Sequence, residues 1–288
     1  MRCTPPRLER WLGSLLASSA WLLGASPATA ADQPALSALE VTTAVRATHR
    51  TFGYHDTPAQ LYPARGYNTL LSYEQPLAPS VFARVDLFPF AFSSRGPAAN
   101  FGLSASYEEA LGTTAVFGEG TPQKKTLDSQ SSELFLGLRG RLPLAAHELG
   151  LTAGYGEHQY GLVGDAGKPL VPDVDYTFVR LSADASFRFD KLSLGLHLGA
   201  RLVQDTGGLQ REWFPTTKTQ AFEGGLLLGY RVLPYVEVVA GVDLTRYAFD
   251  FNPIPPDADP TYVAGGAVDQ YVSGWLGARF SLASHAAR

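Results

Sequence analysis

A period of two runs through most of this chain and narrows the fold more than any other feature. From Lys191 to Gln204, Leu192, Leu194, Leu196, Leu198, Ala200 and Leu202 hold every second place, with Ser193, Gly195, His197, Gly199 and Arg201 between them. Leu134, Leu136, Leu138 and Leu142 alternate in the same way with Glu133, Phe135, Gly137, Arg139 and Arg141. A third run sets Val179, Leu181, Ala183, Ala185, Phe187 and Phe189 against Arg180, Ser182, Asp184, Ser186 and Arg188. Successive side chains of a strand point to opposite faces, so these segments are strands with one apolar and one polar face. Strands are expected near 39–54, 80–91, 99–112, 128–142, 147–161, 173–189, 191–205, 217–232, 234–251 and 268–282. The stretch Gly66 to Glu74 is either a further strand or part of the first long loop; Pro63, Pro76 and Pro79 favour the loop.

The connections fall into two classes. Those after the second, fourth, sixth and eighth strands are short: Ser93 to Pro97, Pro143 to Ala146, Asp190, and Leu233-Pro234. Those after the odd strands are long and rich in Gly, Pro, Asp and Lys, as in Gly118 to Asp128 and Asn252 to Gly266. Short turns at one end and long loops at the other mark transmembrane barrels, with the turns and both termini on the periplasmic side. Past residue 30 no run of about 20 apolar residues occurs, so a membrane crossing would have to be made by strands. Only a closed barrel then satisfies every backbone N–H and C=O in hydrocarbon.

Alternation alone does not say which face is inside, because a soluble barrel would bury the leucines. The charged face decides. Lys124, Lys125, Lys168, Lys191 and Lys218 all lie in loops, turns or strand ends, while the cations inside strands are arginines. Arg46, Arg84, Arg139, Arg180 and Arg201 share the polar register with Asp86, Glu133, Asp184, Glu223 and Asp243. Water gives no reason to exclude lysine. An enclosed lumen does, because guanidinium pairs carboxylates through two parallel bonds and is less strongly hydrated. These ten residues are the candidate lumen charge layer, acting as a selectivity constriction or as a salt-bridged plug. The expected fold is a closed antiparallel transmembrane β-barrel of about ten strands, within a range of eight to twelve.

The first thirty residues read as an export signal. Arg2, Arg7 and Arg10 precede a short apolar run from Trp11 to Ala25, and Ala28-Thr29-Ala30 supplies a small-x-small cleavage site. The domains expected are a signal peptide over 1–30, cut near Ala30, and a barrel domain over 31–288. The single cysteine, Cys3, falls in the segment removed, which leaves no thiol chemistry to the rest.

The segment Val272-Ser-Gly-Trp-Leu-Gly-Ala-Arg-Phe280 resembles the C-terminal signal read by the outer-membrane assembly machinery, with alternating apolar positions and a final aromatic. Arg139 to Tyr160 and Val263 to Tyr271 are similar to pieces of uncharacterised ten-stranded barrels. The chain as a whole resembles small outer-membrane β-barrel proteins of the porin-like superfamily. That resemblance implies export to the bacterial outer membrane, contact with its lipid and lipopolysaccharide, and insertion by the barrel-assembly machinery through the strand ending near Phe280. It carries no functional residue with it.

The expected function is an outer-membrane barrel with a charged, largely plugged lumen, structural or narrow-pore-forming, with small solutes or ions as candidate partners. The alternatives are a surface adhesin using the long loops and, last, an outer-membrane hydrolase built from His158, Glu157, Asp173 and Asp175 at the outer rim. Asp257 and Asp259 are far short of the six to eight oxygens a calcium loop needs. No enzyme, cofactor or metal motif is present in the sequence, and a net charge of −4 argues against nucleic acid. Tyr176 and Phe178 at the outer strand ends, and Phe187, Phe189, Tyr230 and Phe280 at the inner ends, suit aromatic girdles at the two membrane interfaces.

Overall fold

The computed structural model of the chain describes residues 37–62, 65, 72–94, 96–117, 124–163, 173–251 and 263–283. The export segment 1–30 and the acidic loop positions Asp257 and Asp259 lie outside the described residues. The strands are β1 (Ser37–His55), β2 (Tyr73–Leu87), β3 (Phe101–Ala110), β4 (Thr113–Phe117), β5 (Lys125–Leu144) and β6 (His147–Val163). They continue as β7 (Val174–Phe189), β8 (Leu192–Asp205), β9 (Lys218–Leu233), β10 (Val236–Asp250) and β11 (Gly266–Ala283). One helical turn, α1 (Pro58–Leu61), follows β1 and is capped at its N-terminus by Thr57. Chain neighbours pair antiparallel throughout, and β1 pairs with both β2 and β11, which closes the sheet. β3 and β4 both lie between β2 and β5, so they are two parts of one stave and the barrel has ten.

Three of the four short connections are the tight turns Ala145-Ala146, Asp190-Lys191 and Pro234-Tyr235. Ala145 (φ 55°) and Asp190 (φ 52°) take the left-handed conformation that such turns require. The remaining one differs from expectation, because residues 88–91 are not strand. Phe88 turns inward, its N–H donating to the Ala38 carbonyl at 2.8 Å, and Pro89 opens a short 3-10 turn. Phe88 is buried with Ala38, Ala91 and Ala99 beneath the Arg141 guanidinium, 3.6 Å from its ring.

The second strand starts earlier than its prolines suggest. Thr48 pairs with Ala78 and Arg50 with Gln75, so Pro76 and Leu77 together face His49 in a β-bulge. A bulge is where a strand tolerates proline. The carbonyl of Pro79 accepts from Leu111 N–H at 2.8 Å. Its missing N–H faces the same side, at the gap where β3 gives way to β4. The bulge also reverses the phase of alternation: Tyr73 and Gln75 are buried before it, Ala78 and Ser80 after it. A second reversal occurs at Leu111-Gly112, where Gly112 takes φ 59°; Ser104 points inward before it, and Thr113, Ala115 and Phe117 after it. The loop expected over Gly118 to Asp128 is shorter as a result, since Lys125 to Asp128 pair with β4; residues 118–123 lie outside the described residues.

The two faces separate cleanly. Leu138, Leu151 and Leu198 are 67%, 68% and 61% exposed on the outer wall, whereas Arg139, Arg141 and Arg201 are buried inside it. A soluble barrel would show the reverse. A continuous outward belt of leucine, valine and phenylalanine is far larger than the patches of a few hundred Å² seen on soluble monomers. The architecture is a transmembrane β-barrel. Phe187, Phe189, Tyr230 and Phe280 stand on the outer wall near the short-turn end. Tyr176 and Phe178 do not form an outer girdle: they share the register of Arg180 and are buried inside.

Candidate functional site

The lumen is filled in layers. At the long-loop end, Phe52, Tyr54, Tyr73, Phe117, Tyr160, Tyr176, Phe178, Tyr247, Phe249, Phe251 and Tyr271 pack into one buried cluster, joined by Leu209 from the loop after β8. Tyr176 stacks on Tyr247 with ring centroids 3.8 Å apart, and Phe52 stacks on Tyr73 at 5.1 Å. Inside this aromatic mass sits an ion pair. Arg50 donates from Nε and Nη2 to Asp269 Oδ1 and Oδ2 at 2.8 and 2.7 Å, and neither side chain has any exposure. Tyr176 and Tyr271 donate their hydroxyls to Asp269 at 2.5 and 3.1 Å, and Arg50 lies 3.5 Å over the Tyr160 ring. A charge held there without its partner would cost several kcal/mol, so the pair and its hydroxyls form one unit.

Below the plug comes a belt of shared charges. Arg201 binds Glu133 at 2.8 Å and Glu223 at 2.7 Å and donates to the Tyr247 hydroxyl at 2.7 Å. Arg46 reaches Glu108 at 3.1 Å and Asp243 at 3.2 Å while its guanidinium lies 4.0 Å over the Phe82 ring. His158 stands 3.3 Å from Glu133 and 3.1 Å from the Ser131 hydroxyl. A polar chamber of about 80 Å³ is lined by Arg46, Glu133 and Asp243 of this belt and by Tyr271 of the plug.

Toward the short-turn end the lumen widens into a cavity of about 220 Å³. Arg139 grips Asp184 through two bonds of 2.6 and 2.8 Å, and Arg84 lies 3.0 Å from Asp86. Close approach is allowed here by glycine: a Cβ on Gly150 would stand 2.5 Å from the Asp184 carboxylate and 2.7 Å from Arg139. All ten residues of the expected layer, Arg46, Arg84, Asp86, Glu133, Arg139, Arg180, Asp184, Arg201, Glu223 and Asp243, line this one cavity.

The deepest pair, Arg50 and Asp269, was not among the expected lumen residues, nor was the aromatic plug. Both carry a signal in the alternation, because Arg46, Thr48, Arg50, Phe52 and Tyr54 occupy one register of β1. Of the rim residues considered for water activation, the exposed acids Glu157, Asp173 and Asp175 are neighbours, but His158 is not brought to them. His158 is buried inside the barrel, Glu157 points outward from the next position, and Asp173 accepts from Leu162 N–H at 3.2 Å.

No protein-family model matches this chain, and no curated protein matches it. Solved structures do. The outer membrane protease OmpT from Escherichia coli superposes with a TM-score of 0.47 at 12% identity, covering 85% of this chain and 96% of that one. The translocator domain of the autotransporter NalP from Neisseria meningitidis gives 0.41 at 12% identity, with 86% and 90% covered. Neisserial surface protein A gives 0.34 at 10% identity, with 85% and 98% covered. The solved structures it resembles are outer-membrane β-barrels. At these identities the likeness concerns the fold and carries no activity across.

Proposed function

We propose that the chain is a bacterial outer-membrane barrel that is closed to ion flow, its lumen sealed at the extracellular end and charged but accessible from the periplasmic end. The observation that carries this reading is the fully buried Arg50–Asp269 pair inside the aromatic cluster, which spans the long-loop half of the lumen. A ten-stranded barrel is scarcely wider than the eight-stranded kind that side chains fill, and far narrower than sixteen-stranded porins. The selective-pore alternative needs a continuous water path past Tyr176, Tyr247 and Phe249, each at most 3% exposed. In this reading residues 1–30 direct export, cleavage falls near Ala30, and the assembly machinery engages β11 through its end near Phe280. The outer leucine belt faces lipid and lipopolysaccharide, and no catalytic role is assigned to the rim acids.

Planar-bilayer recording of the refolded barrel tests the seal. No current above the empty-bilayer baseline is expected, whether or not Arg84 and Asp86 are neutralised. A steady, ion-selective current altered by those substitutions would replace the sealed barrel with a narrow pore.

A further inference from the structure

We propose that the lower lumen is a binding site for a small oxyanion, whose carboxylate or phosphate group is held between Arg84 and Arg180 and enters from the short-turn end. The cavity, about 220 Å³, is far larger than the roughly 10–15 Å³ a single water occupies on the same measure. Its lining holds seven arginines and eight carboxylates, among them Glu40, Asp86 and Glu148, and five of the eight are held closely by Arg46, Arg139 or Arg201. Asp184 is held by Arg139, Glu133 and Glu223 by Arg201, and Glu108 and Asp243 by Arg46.

Arg180 and Arg188 are the cavity arginines with no carboxylate oxygen within 3.5 Å, and Arg180 is the buried one of the two. Its closest carboxylate oxygen belongs to Glu223 at 3.6 Å, beyond hydrogen-bond length, and Glu223 is already bound to Arg201 at 2.7 Å. Its Nε is buried with no hydrogen-bond partner among the described residues. The Phe135 ring, 3.5 Å from the guanidinium carbon, fixes Arg180 without consuming a donor. Arg84 engages one carboxylate, Asp86, two residues along the same strand, with Nε and Nη2 3.2 Å from Oδ1 and Nε 3.0 Å from Oδ2. Both guanidinium groups line the same cavity. A buried guanidinium Nε without an acceptor favours an oxygen ligand, and the guanidinium fork of donors matches a group with two or three oxygens.

Access follows from exposure. The side chains of Arg50 and Asp269 are 0% exposed, whereas Arg84 and Arg188 are each 31% exposed. Arg188, 4.0 Å from Glu40 near the short-turn end, adds a loosely paired cation at the entrance. The site depends on the sealed outer end for its direction of entry only. A conducting barrel would leave the binding prediction standing, and absent binding would leave the seal standing.

The barrel carries its own reporter, because Trp275 lines the cavity and Trp213 is the one other tryptophan between residues 31 and 288. The test uses the detergent-folded Trp213→Phe protein, titrated with sodium citrate and with sodium phosphate at constant ionic strength set by sodium chloride. A saturable change in Trp275 emission is expected with at least one of them, and which one distinguishes a carboxylate from a phosphate ligand. Arg180→Gln and Arg84→Gln should each weaken it tenfold or more, while Arg211→Gln, in the outer loop beside Asp205, should leave it unchanged. Folding of each variant is checked by the mobility difference between unheated and boiled samples. Should both glutamine variants fail to fold, calorimetry of the unsubstituted barrel with the same two salts decides, with one saturable site expected per chain. No saturable signal beyond that of chloride, or one that Arg180→Gln leaves intact, overturns the proposal.

Discussion

Arg50 and Asp269 are diagonal neighbours across the seam where β1 meets β11, joined by two hydrogen bonds of 2.8 and 2.7 Å with neither side chain exposed. The last strand and the first thus share both a backbone ladder and a buried charge pair.

Breaking that pair from one side should be more damaging than removing it whole. Arg50→Met or Asp269→Leu alone strands a buried charge and should cost about 3–5 kcal/mol. The double substitution should recover a large part of that loss. Denaturant unfolding of the refolded barrels, read by tryptophan emission, measures all three. Single variants as stable as the parent would show the pair contributes nothing.

A charge on the outer wall should be expensive where the membrane is driest. Leu136 is 57% exposed on β5, facing away from the lumen between Phe135 and Gly137. Leu136→Arg should destabilise the barrel in lipid by about 2–4 kcal/mol if it lies near the midplane. Folding yield and unfolding free energy in phosphatidylcholine vesicles report the loss. An unchanged value would mean this face is wet.

Close packing of the seam makes a third expectation. A Cβ on Gly277 would fall 2.1 Å from the Thr43 carbonyl oxygen and 2.7 Å from Ala44, so the strain meets backbone rather than a movable side chain. Gly277→Ala should therefore lower stability by about 1–3 kcal/mol. Gly274→Ala, where nothing stands within 4 Å, should be nearly neutral on the same β11. Equal effects at both sites would contradict the packing.

From β5 to β11 the period of two was readable because the register shifts fall only at strand ends, at Thr177/Phe178 and Val236/Glu237, and those strands lie where the alternation puts them. The first third was harder for a physical reason. The bulge at Pro76-Leu77 and the break at Leu111-Gly112 each reverse which residues point inward, so a search for one unbroken alternation stops at both. Residues of the charge layer were legible as a class, because arginine and carboxylate share a register that excludes lysine. Their partners were not: Arg139 meets Asp184 from two strands away and Arg46 meets Glu108 across β2, contacts set by strand tilt and height. The plug was missed because tyrosine and phenylalanine at strand ends suit a lipid interface as well as a lumen. Only the shared register of Tyr176, Phe178 and Arg180 tells the two apart.

The measurement that bears most directly on the account is spin-label accessibility along β5. The chain's one cysteine is Cys3, so single cysteines placed from Glu133 to Arg139 in the barrel segment 31–288 report without interference. In vesicles, labels at 134, 136 and 138 should relax strongly with oxygen dissolved in lipid and weakly with a water-soluble nickel chelate. Labels at 133, 135, 137 and 139 should show low oxygen accessibility. Reversal of that alternation, or chelate access on the leucine face, would contradict the barrel described here.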